Sequence, residues 1–203
     1  MRSAVLFAAV AAWLFAPIAH GGNADIVAAA RSQIGVTIHY DPAYRSLAYP
    51  GGDVPADRGV CTDVIVRALR VARAIDLQQR VHEDIKAHWD AYPLQRRWGL
   101  ARPDPNIDHR RVPNLMAFFR RAGDATPLTS AAADYLPDDR GVESRSRDSA
   151  YRRRDRRKSV AGAPLAVHNI GSGAREEDIL FRFTVIGRYR LPAAATSSPV
   201  VSH

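Results

Sequence analysis

The sequence predicts an α+β fold, with helices in the earlier part of the chain and strands towards its end. Apolar side chains recur three and four residues apart over residues 64–75, which is the spacing of a helix with one buried face. Residues 164–168 and 179–189 are instead rich in Val, Ile, Phe and Tyr, as strands are. This order favours an antiparallel sheet with the helix packed on it.

The predicted helices have recognisable ends. Asn23 can cap a helix that Gly35 closes, because a side-chain oxygen binds free N–H groups and glycine accepts a left-handed conformation. A more polar helical pattern covers residues 76–89. Pro113 can occupy the first turn of a further helix, which Gly123 closes. Between the two predicted strand segments, residues 171–177 are expected to form a turn.

The two ends of the chain carry signals of their own. Residues 1–22 combine Arg2, an apolar run and small residues, which is the pattern of a secretory signal peptide. The run is too short to cross a bilayer comfortably, and an uncleaved anchor is the alternative. We expect residues 23–192 to form one domain and residues 193–203 a disordered tail. The mature protein is then periplasmic or secreted, with no stable membrane insertion once the signal is removed.

The stretch of residues 49–69 holds the only cysteine, Cys61. A run rich in glycine, proline and aspartate precedes it and the helical pattern follows it, so we expect Cys61 where a loop enters a helix N-terminus. The free N–H groups and the positive end of the helix dipole favour an anion there, such as a thiolate. A thiolate is the nucleophile of a cysteine hydrolase. The alternative is a buried cysteine that serves as a small hydrophobic side chain.

A single cysteine cannot form a disulfide within an exported chain. Cys61 is therefore either inert or a thiol kept for chemistry. No group of Cys and His residues in the sequence has the spacing of a zinc site, and no glycine-rich phosphate-binding motif occurs. We expect no metal and no cofactor.

The net charge of +8 is concentrated in one segment. Residues 140–158 contain nine basic and three acidic residues and contribute +6 of the +8. Nucleic-acid binding through this run is one hypothesis, but Tyr151 is its only aromatic residue, and such sites interleave aromatic and basic side chains. An exported protein also rarely meets nucleic acid, so we expect no such partner.

Several motifs resemble those of known proteins. YPGGDVPADRGVCTDVIV resembles the motif of the bacterial NlpC-like cell-wall peptidases, a papain-type group, with Thr62 and Asp63 where that group commonly has Ser-Gly. GVCTDV, NIDHRRVPNL, VHNIG and GRYRL resemble more closely an exported bacterial family labelled only as a domain of unknown function. The resemblance covers residues 24–191 apart from one gap. It implies a papain-like (NlpC-like) fold, with the cysteine at the N-terminus of a helix that packs on an antiparallel sheet.

The resemblance also implies roles for individual residues. Cys61 is the nucleophile, and His168 in VHNIG orients a second histidine that is the general base. Tyr49 matches a tyrosine that approaches the cysteine, or simply packs against the turn. Asp63 and His109 are further candidates for the substrate groove, although Asp63 can also stabilise the first helical turn and His109 can hold the long segment around it. The implied substrate is an amide bond of a peptidoglycan peptide.

The general-base histidine itself is missing from this sequence. In the group it begins a strand in a motif like PHIGIV, but residues 140–159 contain no histidine and no strand pattern. We interpret residues 139–157 as frame-shifted, because arginine codons arise readily when a GC-rich gene is read out of phase. Back-translated with selected codons and read one base later, the segment can spell TAAWNLGRGIPHIGVVIDA, which restores the histidine and an apolar strand. The alternative is a natural basic loop, a solvated charge run.

These inferences predict an exported cysteine amidohydrolase that is inactive in this exact sequence. Removing one member of a catalytic unit costs several orders of magnitude in rate. We also expect one strand of the sheet to be disrupted at residues 140–158. The alternative function is a non-catalytic periplasmic binding module, a pseudoenzyme on the same fold.

Overall fold

A computed structural model describes residues 23–136, 139–144 and 164–190, and these residues form a mixed α+β structure. Its helices are α1 (Asn23–Arg31), α2 (Cys61–Arg73), α3 (Leu77–Ala87), α4 (Leu94–Trp98) and α5 (Val112–Arg121). Its strands are β1 (His39–Tyr40), β2 (Arg58–Gly59), β3 (Arg140–Ser144), β4 (Ala166–His168), β5 (Arg175–Glu177) and β6 (Thr184–Tyr189). The α+β prediction is confirmed at this level. The predicted signal peptide, most of the predicted frame-shifted segment and the predicted tail lie outside the described residues.

The helix ends follow from local chemistry. The Asp76 side chain accepts a hydrogen bond from the backbone N–H of Gln78 and so caps α3. Ala74 ends α2 in a left-handed conformation, with φ of 51°. Pro113 lies in the first turn of α5, where its missing N–H costs nothing. None of the helices in the described part of the chain is long and apolar enough to span a membrane.

The hydrophobic core lies between the helices. Phe119 of α5 packs on Tyr189 of β6, with ring centroids 5.4 Å apart, and both side chains are almost fully buried. Each of the four longer helices contributes to the same buried cluster, whose members include Ile26, Val66, Leu69, Leu77, Val81, Ile85, Leu115, Phe119 and Tyr189. Burial of this apolar surface is the main stabilising contribution, and α2 takes part in it through Val66 and Leu69.

The strands form three separate pairs instead of the single antiparallel sheet that the sequence predicted. Among the described residues β1 pairs with β2 in parallel, while β3 pairs with β6 and β4 with β5 antiparallel. Residues 171–177, predicted as a turn, contain β5, because Gly171 and Gly173 adopt positive φ and reverse the chain directly after β4. The predicted strand 179–189 is correspondingly shortened to β6.

A strand also forms at the start of the segment in which none was predicted. Arg140 to Ser144 of β3 pair with Tyr189 to Thr184 of β6, with an irregularity between Val142 and Glu143. Backbone hydrogen bonds make this pairing, so it does not require the alternating apolar pattern that the sequence lacks. Residues 145–163, which carry most of the basic run, lie outside the described residues.

Candidate functional site

Cys61 is the first residue of α2, and its side chain is half-buried. The start of the helix is fixed by Asp63, whose carboxylate accepts a hydrogen bond from the backbone N–H of Val60 at 2.6 Å. An acidic side chain at this position satisfies a free donor of the first turn and interacts favourably with the helix dipole. The local sequence therefore determines where the helix begins and where the thiol sits.

A buried ion pair joins this helix start to the loop before it. Arg110 donates through Nε to Asp63 Oδ1 and through Nη2 to Asp63 Oδ2, both at 3.0 Å. The two side chains are only 2% and 3% exposed. The same guanidinium donates to the backbone carbonyls of Asp41 and Ala43. Asp63, a candidate for the substrate groove, therefore faces Arg110 in the protein interior, in agreement with its structural alternative.

Arg110 was not identified from the sequence, although a signal existed. A carboxylate in the first turn of a helix that has one strongly apolar face is at risk of burial, and a buried carboxylate needs a cation. NIDHRRVPNL supplies two adjacent arginines, and the fold uses one of them. Arg110 lies in a short 3₁₀ turn at Asp108–Arg110, directly before α5.

The adjacent glycines Gly51 and Gly52 are required by a tight loop that precedes Cys61. Gly51 has a φ of 82°, and a Cβ on Gly52 would lie 2.1 Å from the carbonyl oxygen of Ala48. The fully buried Gln78 holds this loop, because its Oε1 accepts from the N–H of Gly52 and its Nε2 donates to the oxygen of Ala48. The geometry of the loop therefore explains why the motif YPGGDVPADRGVCTDVIV has glycine at positions 51 and 52.

Asn169 connects the histidine-bearing strand to the cysteine loop. Its Nδ2 donates to the carbonyl oxygen of Gly59 at 3.0 Å, two residues before Cys61, and its Oδ1 accepts from the N–H of Gly173. The side chain is fully buried. Asn169 therefore holds His168 and Cys61 on neighbouring segments, a role that VHNIG alone did not reveal because both partners are backbone groups.

His168 ends β4 and is held by a carboxylate. Its Nε2 lies 2.9 Å from Glu177 Oε2, and its side chain is only 13% exposed. Glu177 is the last residue of β5, diagonally across the strand pair from His168. Nothing in the sequence identified Glu177 as this partner, since EED is typical of an ordinary acidic turn.

Cys61 and His168 line the same cavity, which has a volume of about 340 Å³. The side chain of Tyr40 and that of Asn169 also reach it. Most of the remaining lining is apolar and comes from α1, α2, α5 and the segments around β4 and β6; it includes Val27, Ile65, Val112, Leu115, Leu165, Ile170, Leu180 and Tyr189. A concave apolar site with a few converging polar groups is the usual form of a ligand or active site.

Tyr49 is not one of the described residues that line this cavity. It lies against α3, where its ring meets that of His82 edge to face at 5.2 Å and its hydroxyl is 3.5 Å from Glu83 Oε1. Its environment raises the pKa of the Tyr49 hydroxyl, chiefly through desolvation. The structure thus brings Tyr49 to α3 and not to the cavity that Cys61 and His168 share.

His109 is buried, at 2% exposure, and also lies away from the cavity lining. Burial disfavours the charged imidazolium and lowers its pKa to about 4. Its Nδ1 has no hydrogen-bond partner among the described residues. The structure thus places His109 in the protein interior and not at the cavity that Cys61 and His168 share.

The described residues contain no group of three or more His, Cys, Asp or Glu side chains arranged to hold a metal ion. The polar groups that line the cavity include the Cys61 thiol, the His168 imidazole and the Asn169 side chain, together with Thr62, Asp139 and Glu176. Glu177 binds the imidazole but is not itself part of the described lining. This set can support nucleophilic attack and hydrogen bonding from the protein's own side chains.

Comparison with known proteins agrees with the predicted resemblance to a family of unknown function. The model of the family described as "Domain of unknown function (DUF1287)" matches residues 27–191. The Escherichia coli K12 protein described as "Uncharacterized protein YijF" is 47% identical over 175 residues, which cover 83% of this chain and 81% of that protein. No solved structure matches the chain at a significant level.

Proposed function

We propose that this chain, which belongs to the DUF1287 family, carries the site of an exported cysteine amidohydrolase. The proposed substrates are amide bonds of cell-wall peptides. One observation carries the proposal. Cys61, at the start of α2, and His168, at the end of β4, line the same cavity although they are far apart in sequence. Convergence of a thiol and an imidazole on one apolar pocket is what thiol-dependent acyl transfer requires.

The proposed reaction has two steps. The Cys61 sulfur attacks the amide carbonyl carbon, the C–N bond breaks, and the thiol proton is delivered by a general base to the leaving amine. Water then attacks the thioester carbon, and the C–S bond breaks to release a carboxylic acid and regenerate the thiol. N–H groups at the start of α2 can stabilise the oxyanion of each tetrahedral intermediate. His168 is the residue that orients the base.

The general base is the missing part of this site. The sequence contains no histidine between residues 110 and 167, and the position expected for the base falls in the segment that we interpret as frame-shifted. We therefore propose that the chain as written is inactive. Replacing residues 139–157 by TAAWNLGRGIPHIGVVIDA would restore a histidine, and we refer to this variant as the replaced chain.

Cell-wall peptides are proposed as substrates on two grounds. The resemblance of the cysteine motif to NlpC-like peptidases favours them, and a signal-like start at residues 1–22 favours export to the compartment where they occur. The cavity of about 340 Å³, with its apolar lining, has the size to accept a short peptide segment.

Hydrolysis of purified cell-wall peptides, followed by mass spectrometry, tests the proposal. We expect the replaced chain to release fragments, the parent chain to be slower by about a hundredfold or more because it lacks a base, and Cys61→Ser in the replaced chain to abolish release. Equal activity of the parent and the replaced chain would exclude the assigned base. Activity that survives Cys61→Ser would exclude the nucleophile.

A non-catalytic binding module is the second candidate. The observation that favours it is that the cavity, the buried ion pair and the Asn169 contacts are all formed by residues other than the missing base. If the protein is a binding module, we expect Cys61→Ala to retain its affinity for cell-wall peptides. We also expect the replaced chain to show no hydrolysis of these peptides. Calorimetric titration of Cys61→Ala shows whether the cavity binds the peptides, and the hydrolysis assay on the replaced chain then distinguishes the two functions.

A further inference from the structure

We propose that Glu177 is a positioning residue of this site: it fixes which nitrogen of His168 carries the proton. The inference rests on the proposed function for its purpose, but its structural content can be tested without any reaction. The Glu177 carboxylate lies outside the motifs that carry the family resemblance.

The strand pairing determines the geometry. His168 lies opposite Arg175 in the β4–β5 register, so Glu177, two residues further, is its diagonal neighbour on the same face. Glu176 points to the opposite face, where it binds Arg31 at 2.6 Å. Two adjacent glutamates thus have different partners: Glu176 binds Arg31, and Glu177 binds the imidazole of His168.

The chemistry of the contact then assigns the proton. An ionised carboxylate only accepts hydrogen bonds, so His168 Nε2, at 2.9 Å from Glu177 Oε2, must be the donor. A neutral imidazole carries one N–H, and Nδ1 is consequently its acceptor nitrogen. An acceptor is what an orienting histidine must present in order to receive an N–H from a general base, as the aspartate does in a catalytic triad.

The contact between Glu177 and His168 is expected to contribute little to the folding stability of the protein. The side chain of Glu177 is 43% exposed, and ion pairs at such sites contribute little to folding. A hydrogen bond to a charged acceptor is nevertheless strong and directional. Its effect is therefore expected on the imidazole, through the tautomer and the ring orientation, and not on the overall fold.

Nitrogen-15 and proton NMR of the histidine rings in the full chain tests the proposal, with His168→Gln to assign the signals. In the parent we expect a downfield Nε2–H proton on His168 and an unprotonated Nδ1. In Glu177→Ala that proton should exchange with water about tenfold faster or more, because its charged acceptor is lost. Glu176→Ala is the matched control and should leave the signal unchanged. Circular dichroism checks that both variants fold like the parent.

Two results would overturn the proposal: a protonated Nδ1 on neutral His168 in the parent, or an Nε2–H signal that is the same in Glu177→Ala. Neither depends on whether Cys61 reacts. If the NMR result is as expected but the replaced chain hydrolyses nothing, the proposed function fails and the assignment of Glu177 stands.

Discussion

At the scale of single residues, the site depends on side chains that hold others. Asn169 binds the backbone just before Cys61, and Glu177 binds the ring of His168. Neither touches the thiol in any described contact, yet each restricts where a reacting group can lie. Preorganisation of this kind is what distinguishes a reactive site from a chance meeting of a thiol and an imidazole.

His109 gives the chain a pH-dependent stability that a single substitution can reveal. Its pKa is about 4 in the folded protein because it is buried, against about 6.5 when unfolded. Between these values the unfolded chain binds a proton that the folded chain does not, so stability is fully present above the unfolded pKa and falls as pH decreases towards the folded pKa. We expect this residue to account for a loss of about 2 kcal/mol between about pH 7 and pH 4.5.

Urea unfolding at these two pH values checks this expectation. His109→Gln, which is neutral at both, should show a smaller loss of unfolding free energy than the parent by about that amount. His88→Gln is the control, because the side chain of His88 is 47% exposed. An identical pH dependence in the parent and in His109→Gln would contradict the burial assigned to this imidazole.

At the scale of elements, the buried Asp63–Arg110 pair connects α2, the loop before β2 and the turn before α5. Arg110→Ala leaves the Asp63 carboxylate buried without its cation, and we expect a loss of about 3–5 kcal/mol in the free energy of unfolding. Arg45→Ala removes an arginine that is 38% exposed in its pair with Asp41, and should cost about 1 kcal/mol or less. Chemical denaturation compares the two variants, and equal losses would mean that Arg110 is not buried as described.

The four longer helices could be predicted from the sequence because their signals are local, whereas the short α4 (Leu94–Trp98) was not predicted. The turn residues before Cys61 and the apolar spacing after it predict the start of α2, and Pro113 predicts the first turn of α5, in each case within one or two residues of the observed start. The strands were predicted less well, because pairing depends on distant partners. Nothing local in EED predicts that Arg175–Glu177 pairs with β4, and nothing local in RGVES predicts its pairing with β6.

At the scale of the whole molecule, the same distinction applies to the candidate site. Cys61 and His168 were identified from motifs, and both line the cavity. Arg110, Asn169 and Glu177 were missed as contributors because their roles exist only in contacts between segments far apart in sequence. Tyr49 and His109 were named from proximity in sequence and in motif, and the fold directs them to α3 and to the interior.

The charge distribution also belongs to this scale. Most arginines in the described part of the chain form specific ion pairs with acidic side chains, such as Arg67 with Asp53 and Arg110 with Asp63. The basic excess of residues 140–158 is not matched by acidic residues nearby in sequence. This contrast in charge pairing supports the interpretation that residues 139–157 are frame-shifted. Comparison of the parent with the replaced chain tests that interpretation.

The measurement that tests the account most directly is the rate at which iodoacetamide modifies Cys61 near neutral pH, followed by mass spectrometry. The chain has one cysteine, so every modified molecule reports this site. We predict that the replaced chain reacts about tenfold faster or more than the parent, because a restored histidine base increases the thiolate fraction. Equal rates in the two folded proteins would contradict the claim that Cys61 is a nucleophile whose base is missing from this sequence.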